Sequence, residues 1–581
     1  MHKTVAVLLV FFLLSSVFTM FSFDDASAQN SDVIRIKEDG SVTGTDKIRR
    51  SGVMYTLLAD LFASVGQNEA FIFVERSDII FNGGGYTVQG SGFGSAICLF
   101  RSQNVTVEDF VIRDFSRGID FWTVDNLPSD SSHLSKSSAS YNKVRNNNIE
   151  VSGNVNNDKL RDFGWCVYLN DAFQTVISGN TFACQNFQGG VYLGNLTKNT
   201  NLSNNTFLGC RIYSLFSDQT VASGNTVDGK PLIYLDGKSN QVFDEAGLVY
   251  LFNCNNIVVK NVEPAYDYAV AIQLVDTVTS EVSNSYGHVF LSNSNKNSIH
   301  NNHLNSVTLF ASSHNNVFTN FITGSSVCIK LYGDSNFNTI YDNALLDTIY
   351  PANAETVYDA GFETAAIQLG DFQLGGVSNN NIHNNSIDNH DCAVKFVLSS
   401  NNTIAGNLLK NCRTGVQLGA SHFNIFTENN VTSCKYAVGI HAASSNNLFF
   451  CNNFIDNDVQ CVEIHFPTLY PDGEVYSVDN VWDNGETGNY WSTYIGVDTT
   501  GDGIGDTPYH VFEYMIDNYP LIEPFTVSKS LPHYNPDSHP QSSDDTSSLF
   551  SKKNLITLIS VGILFGIVSG LIIYFRRLIF R

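Results

Sequence analysis

The sequence is poor in charge, and poorest in positive charge. Only 15% of its 581 residues are charged, with 32 Lys and Arg against 56 Asp and Glu, which gives a formal net charge of −24. Neutralising phosphates requires clustered Lys and Arg, so this balance argues against nucleic-acid binding. A content of 12% aromatic and 43% apolar residues supplies a core and excludes a disordered chain.

Several other patterns are missing. No helical periodicity of apolar residues runs through residues 80–466, and the signature of leucine-rich repeats does not occur there. The 11 Cys include no CxxC pair and no zinc-type spacing, which argues against a zinc cluster. Cys412 and Cys434 are 22 residues apart and are interpreted as small packing residues, whereas Cys451 and Cys461 form the better candidate for a disulfide.

Asparagine is in excess, with 64 residues, and many recur in one pattern: an apolar residue, two variable residues, Asn, one residue, then another apolar residue. From Asn302 onward the spacings are 18, 23, 42, 22, 22 and 23, so the unit has about 22 residues and 42 spans two units. A short apolar-x-apolar strand, such as 416–418, follows about nine residues after each Asn. The repeated residues are Asn180, Asn205, Asn302, Asn320, Asn343, Asn385, Asn407, Asn429 and Asn452.

Short strands, this period, and Asn or Gly at the bends predict an all-β fold, a right-handed parallel β-helix over residues 86–466. Stacked coils would place the repeated Asn side chains about 4.8 Å apart, where amides hydrogen-bond along the stack. Asn also tolerates the left-handed backbone of the corners. Roughly 15 coils at this spacing give a rod of about 70 Å.

The N-terminus predicts export. Lys3 precedes the almost wholly apolar residues 5–17, and residues 26–28 read Ala-Ser-Ala, a cleavage-site pattern. Residues 1–28 are therefore interpreted as a signal peptide, with an uncleaved anchor as the alternative.

The C-terminus predicts a membrane anchor. Residues 555–575 are uncharged and long enough to cross a bilayer as a transmembrane helix, and the arginine-rich tail 576–581 would remain in the cytoplasm. Residues 526–552 have the composition of a solvated stalk. The predicted protein is single-pass in the cell membrane, with its large N-terminal domain extracellular. A helix-pairing face that would give a homodimer is formed by Gly562, Gly566 and Gly570, although Gly is also common in membrane spans.

Motifs flank the Asn coils on both sides. Residues 34–41 and 82–90 precede them, and three stretches follow them, at 488–492, 502–509 and 517–521. Together they resemble the NosD-like, or carbohydrate-binding and sugar-hydrolase (CASH), family of right-handed β-helix proteins, in its exported archaeal form. The resemblance covers about 33–525 and implies an N-terminal cap region at 29–85 and a C-terminal cap at 467–525.

NosD is linked to copper-site assembly in nitrous oxide reductase, so the resemblance also implies a copper-related accessory protein as one alternative. The chain has only four Met and no tract rich in His, Cys or Met. His300 and His383 share a repeat position, but Phe318, Tyr341 and Ala405 occupy it in other coils. No metal ladder is expected there.

The outward positions of the strands form the first candidate site. Stacked in register, they would make a stripe of aromatic, amide and charged groups suited to an extended glycan, or an ordinary solvated sheet face. The candidate ligand-binding residues are Tyr168, Tyr192, Gln273, Lys330, Gln368, Lys395, Gln417 and Glu463.

Catalysis is the second candidate. Asp388, His390 and Asp391 place two acids around a histidine and resemble the Asp-Pro-His-Asp run of mannuronan epimerases, from which Asn389 departs. A second charged cluster contains Asp109, Arg113, Asp114, Arg117 and Asp120. Either would make the chain a polysaccharide lyase, epimerase or hydrolase.

The third candidate is a structural calcium loop at residues 498–506. Asp498, Asp502 and Asp506 match positions 1, 5 and 9 of an EF-hand-like loop, and Ile504 would offer its carbonyl at position 7. Thr500 and Tyr509 stand where further acids are expected, so a Gly/Asp turn of the cap is the alternative. The sequence as a whole favours a surface-anchored β-helix that binds an extended carbohydrate or a cell-envelope partner without catalysis.

Overall fold

The computed structural model has two compact units, residues 1–198 and 199–581. None of the described residues forms a helix of the length and apolarity that a membrane span needs. The signal peptide, the stalk beyond residue 526, the span 555–575 with its glycines, and the tail all lie outside the described residues. Those residues are 33–66, 69–122, 139–152, 164–170, 172–184, 189–194, 197–214, 220–266, 270–346, 364–441, 443–464, 479–512 and 514–526.

Each coil contains up to three strands, which we call the first short strand, the second short strand and the long strand in chain order. In the first unit, parallel pairing joins equivalent strands of successive coils, for example Thr106–Glu108 with Lys143–Arg145. The first short strands are Met54–Leu57, Ile80–Asn82, Thr106–Glu108, Lys143–Arg145 and Val176–Ser178. The second short strands are Leu61–Phe62, Thr87–Gln89, Val111–Phe115, Asn148–Val151 and Thr181–Cys184. The long strands are Ile34–Ile36, Ala70–Val74, Ser95–Phe100, Arg117–Trp122, Trp165–Leu169 and Gly189–Leu193. Outside this scheme are the antiparallel strands Val42–Thr43 and Ile48–Ser51 and the parallel pair Ala139–Ser140 and Ala172–Phe173.

The second unit repeats this arrangement. Its first short strands are Asn201–Ser203, Val221–Ser223, Ser239–Phe243, Asn255–Lys260, Glu281–Ser283, Ser298–His300, Asn316–Phe318, Thr339–Tyr341, Asn381–His383, Thr403–Ala405, Ile425–Thr427 and Leu448–Phe450. Its second short strands are Thr206–Leu208, Thr226–Val227, Phe321–Thr323, Ala344–Leu346, Ser386–Asp388, Leu408–Lys410, Asn430–Thr432, Asn453–Ile455 and Tyr490–Trp491. Its long strands are Arg211–Ser214, Lys230–Asp236, Leu248–Phe252, Ile272–Val275, Val327–Tyr332, Ala365–Leu369, Cys392–Val397, Thr414–Gly419, Tyr436–His441 and Val459–Ile464. Tyr286–Ser292 and His303–Phe310 run through both of the later positions, and Tyr509–Phe512 pairs antiparallel with Met515–Asp517 in the cap.

Strand alternation produces the core. In the coil that begins at Ser298, the side chains of Ile299, Leu304, Val307 and Leu309 point inward and are buried. Every coil contributes such a set, and the parallel register stacks equivalent residues on one another. The predicted parallel β-helix is therefore confirmed, and the usual hand of parallel crossovers fits the right-handed form.

The repeated Asn form a hydrogen-bonded ladder inside the corners of the second unit, as predicted. The Oδ1 of Asn320 accepts from the backbone N–H and the Nδ2 of Asn302, at 3.1 and 2.9 Å. The Nδ2 of Asn302 also donates to the carbonyl of Val282 at 3.1 Å, so each amide is satisfied. We call this series the inner ladder. Its rungs are Asn302, Asn320, Asn343, Asn385, Asn407, Asn429, Asn452 and Asn489. Asn343 bonds directly to Asn385, so the spacing of 42 residues belongs to one coil and the expectation of two units is wrong.

A second Asn ladder precedes the first short strands and was missed by the sequence pattern. It uses the same bonds and contains Asn297, Asn315, Asn338, Asn380, Asn402, Asn424, Asn447 and Asn480. The left-handed corner residue is not the ladder Asn but its predecessor: Asn301 and Asn384 have φ of 55°. The buried side-chain amide and the left-handed backbone conformation thus belong to two adjacent residues.

The inner ladder ends on a carboxylate. Asp517 Oδ2 accepts from the backbone N–H and Nδ2 of Asn489 and from Nε1 of Trp491. Asp517 stands where the next rung after Asn489 would be. No further rung follows that needs a donor, so a side chain that only accepts hydrogen bonds suffices there. Burial raises the pKa of Asp517 to about 6, although these donors oppose the rise.

The structure corrects three boundaries or pairings. Parallel pairing already joins Ile34–Ile36 to Ala70–Val74, before the predicted start at 86, because the capping segment contributes strands of its own. Coils also continue past 466, since Tyr490–Trp491 pairs with Asn453–Ile455. Cys451 and Cys461 are both free thiols, so the predicted disulfide is wrong; Cys451 lies at a corner, whereas Cys461 points into the core.

Candidate functional site

Four aromatic rings form a column on the outer side of the first short strands in the second unit. His300, Phe318, Tyr341 and His383 occupy equivalent positions of successive coils and are half-buried. Their ring centroids are 4.8, 4.9 and 5.1 Å apart, with interplanar angles of 17°, 4° and 8°. We call this column the outer ladder.

Rows of small polar side chains flank the outer ladder. Two residues earlier in each strand lie Ser298, Asn316, Thr339 and Asn381, which point outward as the rings do. On the other side, Thr319 Oγ1 donates to Asn301 Oδ1 at 2.8 Å. Glu281 lies at one end of the ladder, 3.3 Å from His300 Nε2. The surface is therefore an apolar ridge between amide and hydroxyl groups.

The shared repeat position of His300 and His383 was apparent in the sequence, where it raised only the question of a metal. The sequence feature that indicates the column is a ring two residues before the ladder Asn in four successive coils, because rings at equivalent positions of stacked coils can stack. Burial and the neighbouring Asp342 raise the pKa of Tyr341, so its hydroxyl remains a neutral donor.

The side chains of the predicted polar stripe in the second unit are in register, but most of them are not solvent-exposed. Lys330, Gln368, Lys395 and Gln417 pair in one column, preceded three coils earlier by Gln273. Gln273, Lys395 and Gln417 are only 6%, 8% and 2% exposed. The expectation of a solvated face is wrong at these three positions, which are buried.

The side chains of this column form hydrogen bonds and an ion pair with defined partners. Lys330 Nζ lies 3.0 Å from Asp371 Oδ2, and Gln417 Nε2 lies 3.0 Å from a ring nitrogen of His441. Burial opposes ionisation of Asp371, but Lys330 and the N–H of Gln373 outweigh it and lower the pKa of Asp371. The side-chain amides of Gln273 and Gln368 donate to the carbonyls of Ser214 and Gly370.

Glu463 does not join the column. Its coil is one residue out of the expected register, because Val438 pairs with Cys461 and Gly439 with Val462. Glu463 consequently lies opposite Ile440.

In the first unit, Tyr168 and Tyr192 stack on the outer side of the long strands. Their ring centroids are 4.4 Å apart with an interplanar angle of 11°. The guanidinium of Arg117 lies 4.6 Å from the centre of the Tyr168 ring, and Tyr168 itself pairs in register with Asp120. Tyr168 is 8% exposed and Tyr192 is half-buried.

Asp388, His390 and Asp391 do not converge. His390 is fully buried at an inner corner, in the slot that Cys412 and Cys434 occupy in the next coils, and burial lowers its pKa to about 4. Asp388 instead pairs with Lys410 at 3.0 Å, and Asp391 with Arg413 at 3.2 Å. A histidine enclosed in the core has no route to a substrate on the surface.

The cap loop at 498–506 is held by its own carboxylates. Asp498 accepts backbone N–H groups from Gly503 at 2.8 Å and from Gly501 at 2.6 Å, which lowers its pKa. Asp502 accepts from the N–H of Ile504, and Asp506 from Thr499. Within the described part of the cap, Asp498, Asp502 and Asp506 do not bring one oxygen each within 4.8 Å of the others. Calcium there stays a prediction.

One family model matches part of this chain. The family model described as periplasmic copper-binding protein (NosD) matches residues 370–496, so this part of the parallel β-helix is similar to that family. A search of curated protein sequences finds no match.

Solved structures match with low TM-scores. A mutant tailspike protein of E. coli bacteriophage HK620 matches at 13% identity, over 71% of this chain and 73% of its own, with a TM-score of 0.28. A mutant periplasmic alginate epimerase AlgG matches at 10% identity over 77% and 84%, with a TM-score of 0.19. PfbA, a surface adhesin of Streptococcus pneumoniae, matches at 10% identity over 68% and 84%, with a TM-score of 0.24. At these values the matches carry no argument about chemistry.

The described residues of the matched segment offer no site that fits the copper named in the family description. Among the described residues of 370–496, no three His, Cys, Asp or Glu side chains bring their ligand atoms within 4.8 Å of one another. Its thiols at Cys392, Cys412 and Cys434 are buried, and so is His390. We therefore derive no step through copper.

Proposed function

We propose that this protein is an exported, membrane-anchored β-helix that binds an extended carbohydrate of the cell envelope through the outer ladder, without catalysis. One observation carries the proposal: four stacked rings stand on an outward position that the fold does not constrain. The inner ladder needs Asn in each coil to satisfy buried amides, whereas nothing in the coil requires a ring at His300, Phe318, Tyr341 and His383.

The chemistry around the ladder supports a glycan. The C–H faces of sugar rings pack on aromatic side chains, and their hydroxyl groups exchange hydrogen bonds with amides such as Asn316 and Asn381. Charge beside the rings is sparse, with Glu281 at one end and Asp342 beside Tyr341. A polymer with one repeat after another also matches a surface that repeats at about 4.8 Å per coil.

Export and anchoring in the proposal rest on residues 1–28 and 555–575. If both act as predicted, the ladder faces the outside of the cell, where envelope polysaccharides are the extended polymers at hand.

A glycan panel tests the proposal. The purified full chain is incubated with neutral and uronic-acid oligosaccharides, and both binding and new reducing ends or unsaturated products are measured. Binding without products is expected. Turnover would overturn the non-catalytic part, and absence of binding to any glycan would overturn the proposal itself.

A further inference from the structure

A second outward cluster, in the first unit, contains a buried carboxylate with unused hydrogen-bonding capacity. Asp120 lies between Ile119 and Phe121, whose side chains fill the core, so its own side chain is on the outer side of the long strand. It is nevertheless fully buried. We call Asp120 together with Arg117, Tyr168 and Tyr192 the Asp120 cluster.

The two oxygens of Asp120 differ. Oδ2 accepts from Arg117 at 2.8 Å and from Ser95 Oγ at 3.0 Å. Oδ1 has no hydrogen-bond partner among the residues that the structure describes. A buried oxygen without a donor is costly, and native structures rarely keep one except where a ligand or a proton supplies the bond.

The surroundings restrict the ligand. The Arg117 guanidinium, with an 11% exposed side chain, already neutralises the carboxylate, so the site offers no net charge for an anion. Two stacked tyrosine rings provide an apolar wall beside the acceptor. Trp165 packs edge-on against Tyr192 at 5.2 Å and covers Gly189, which leaves no room for a larger side chain there.

We propose that the Asp120 cluster binds a neutral sugar, with one ring hydroxyl donating to Asp120 Oδ1 and the ring lying against the tyrosines. This inference rests on the proposed function and adds a ligand class, a neutral rather than a uronic-acid unit. Because Oδ1 is enclosed, the hydroxyl enters when a neighbouring side chain shifts its rotamer, a common change on binding.

The test uses the full chain carrying Tyr341→Ala, which removes the outer ladder as a binding surface. Titration of this chain with neutral oligosaccharides is measured by calorimetry and compared with and without Asp120→Asn. Asp120→Asn keeps the shape but replaces a charge-assisted acceptor with a neutral amide, and about a tenfold weaker affinity is expected. Asp244→Asn, an exposed carboxylate change in the second unit, is the matched control and leaves affinity unchanged.

A series of singly deoxygenated sugars sharpens the result. One deoxy sugar should bind more weakly than the parent sugar to the chain that retains Asp120. Its affinity should not fall further in the Asp120→Asn chain, because both changes remove the same hydrogen bond to Oδ1. Equal affinity of the two chains, with and without Asp120→Asn, for every sugar would overturn the inference, and so would a preference for uronic acids. If the chain with intact Tyr341 still binds glycans in that case, the outer-ladder proposal stands and only the Asp120 cluster is rejected.

Discussion

The second unit carries two ladders on the same coils, two residues apart, and they obey different rules. Asn302, Asn320, Asn343 and Asn385 face inward, while His300, Phe318, Tyr341 and His383 face outward. The inner position must both accept from one coil and donate to the next, so one residue type is used throughout. The outer position meets no such demand, and its run of rings is limited to four coils before Ala405 follows. Repetition at the first position serves folding, and repetition at the second is the basis of the proposed binding surface.

Removing an inner rung should have the largest effect. In Asn407→Ala, the backbone N–H and Nδ2 of Asn385 lose their acceptor, and the carbonyl of Ile382 loses a donor. We expect a loss of about 3–5 kcal/mol in the free energy of unfolding, measured by urea denaturation. Asn381→Ala, an exposed amide in the same sheet, should change it by about 0.5 kcal/mol or less. Similar losses in both variants would contradict the ladder account.

The buried His390 should give the next largest effect, and it depends on pH. Its pKa is about 4 in the folded chain against 6.5 as the reference value, because burial disfavours the charged form. The unfolded chain therefore binds more protons between these values, and stability present above pH 6.5 is lost as pH falls toward 4. Relative to His390→Asn, the parent chain should lose about 2–3 kcal/mol between pH 7 and 4.5.

The pH comparison has an internal control. Asp517, with its pKa raised to about 6, contributes with the opposite sign between pH 4 and 6, but equally in both chains. Parallel stability curves for the parent and His390→Asn would show that His390 is not buried as described.

The outer ladder should matter less for stability. Tyr341→Ala removes two stacking contacts from a half-buried position, which we expect to cost about 1–2 kcal/mol. Tyr341→Phe retains both contacts and should unfold like the parent chain. A loss as large as that of Asn407→Ala would mean that the outer column is structural too.

Calcium should have the smallest effect. Both oxygens of Asp498 already accept backbone N–H groups, so an ion has to replace bonds that hold the loop. We expect a small binding heat and a slight rise in Tm, both abolished by Asp498→Asn. If calcium produces no binding heat and no change in Tm, the predicted calcium site is wrong.

The parallel β-helix followed from the sequence because its inner positions are dictated by hydrogen bonding. Asn302 and its equivalents could be predicted, since a buried amide in a repeated coil has one satisfactory partner, the same amide in the next coil. The ladder beginning at Asn297 obeys the same rule and was missed because the pattern starts at Ile299, the apolar residue within the first short strand, which follows Asn297.

The outer positions were harder to predict. Whether Gln417 or Lys395 is exposed depends on what packs over the strand, which its own repeat does not encode. Glu463 is misplaced by one residue because aligning 462–464 with 438–440 assumes a spacing of 24, whereas Val438 pairs with Cys461, 23 residues later. Asp120 was recognised as part of a charged cluster, but only its packing distinguishes the satisfied Oδ2 from Oδ1.

The most direct test of the central claim measures glycan affinity and stability together in Tyr341→Ala. The claim predicts that affinity for the bound glycan falls at least tenfold while the chain remains folded, and that Tyr341→Phe preserves most of the affinity. Unchanged affinity in a folded Tyr341→Ala chain would contradict it.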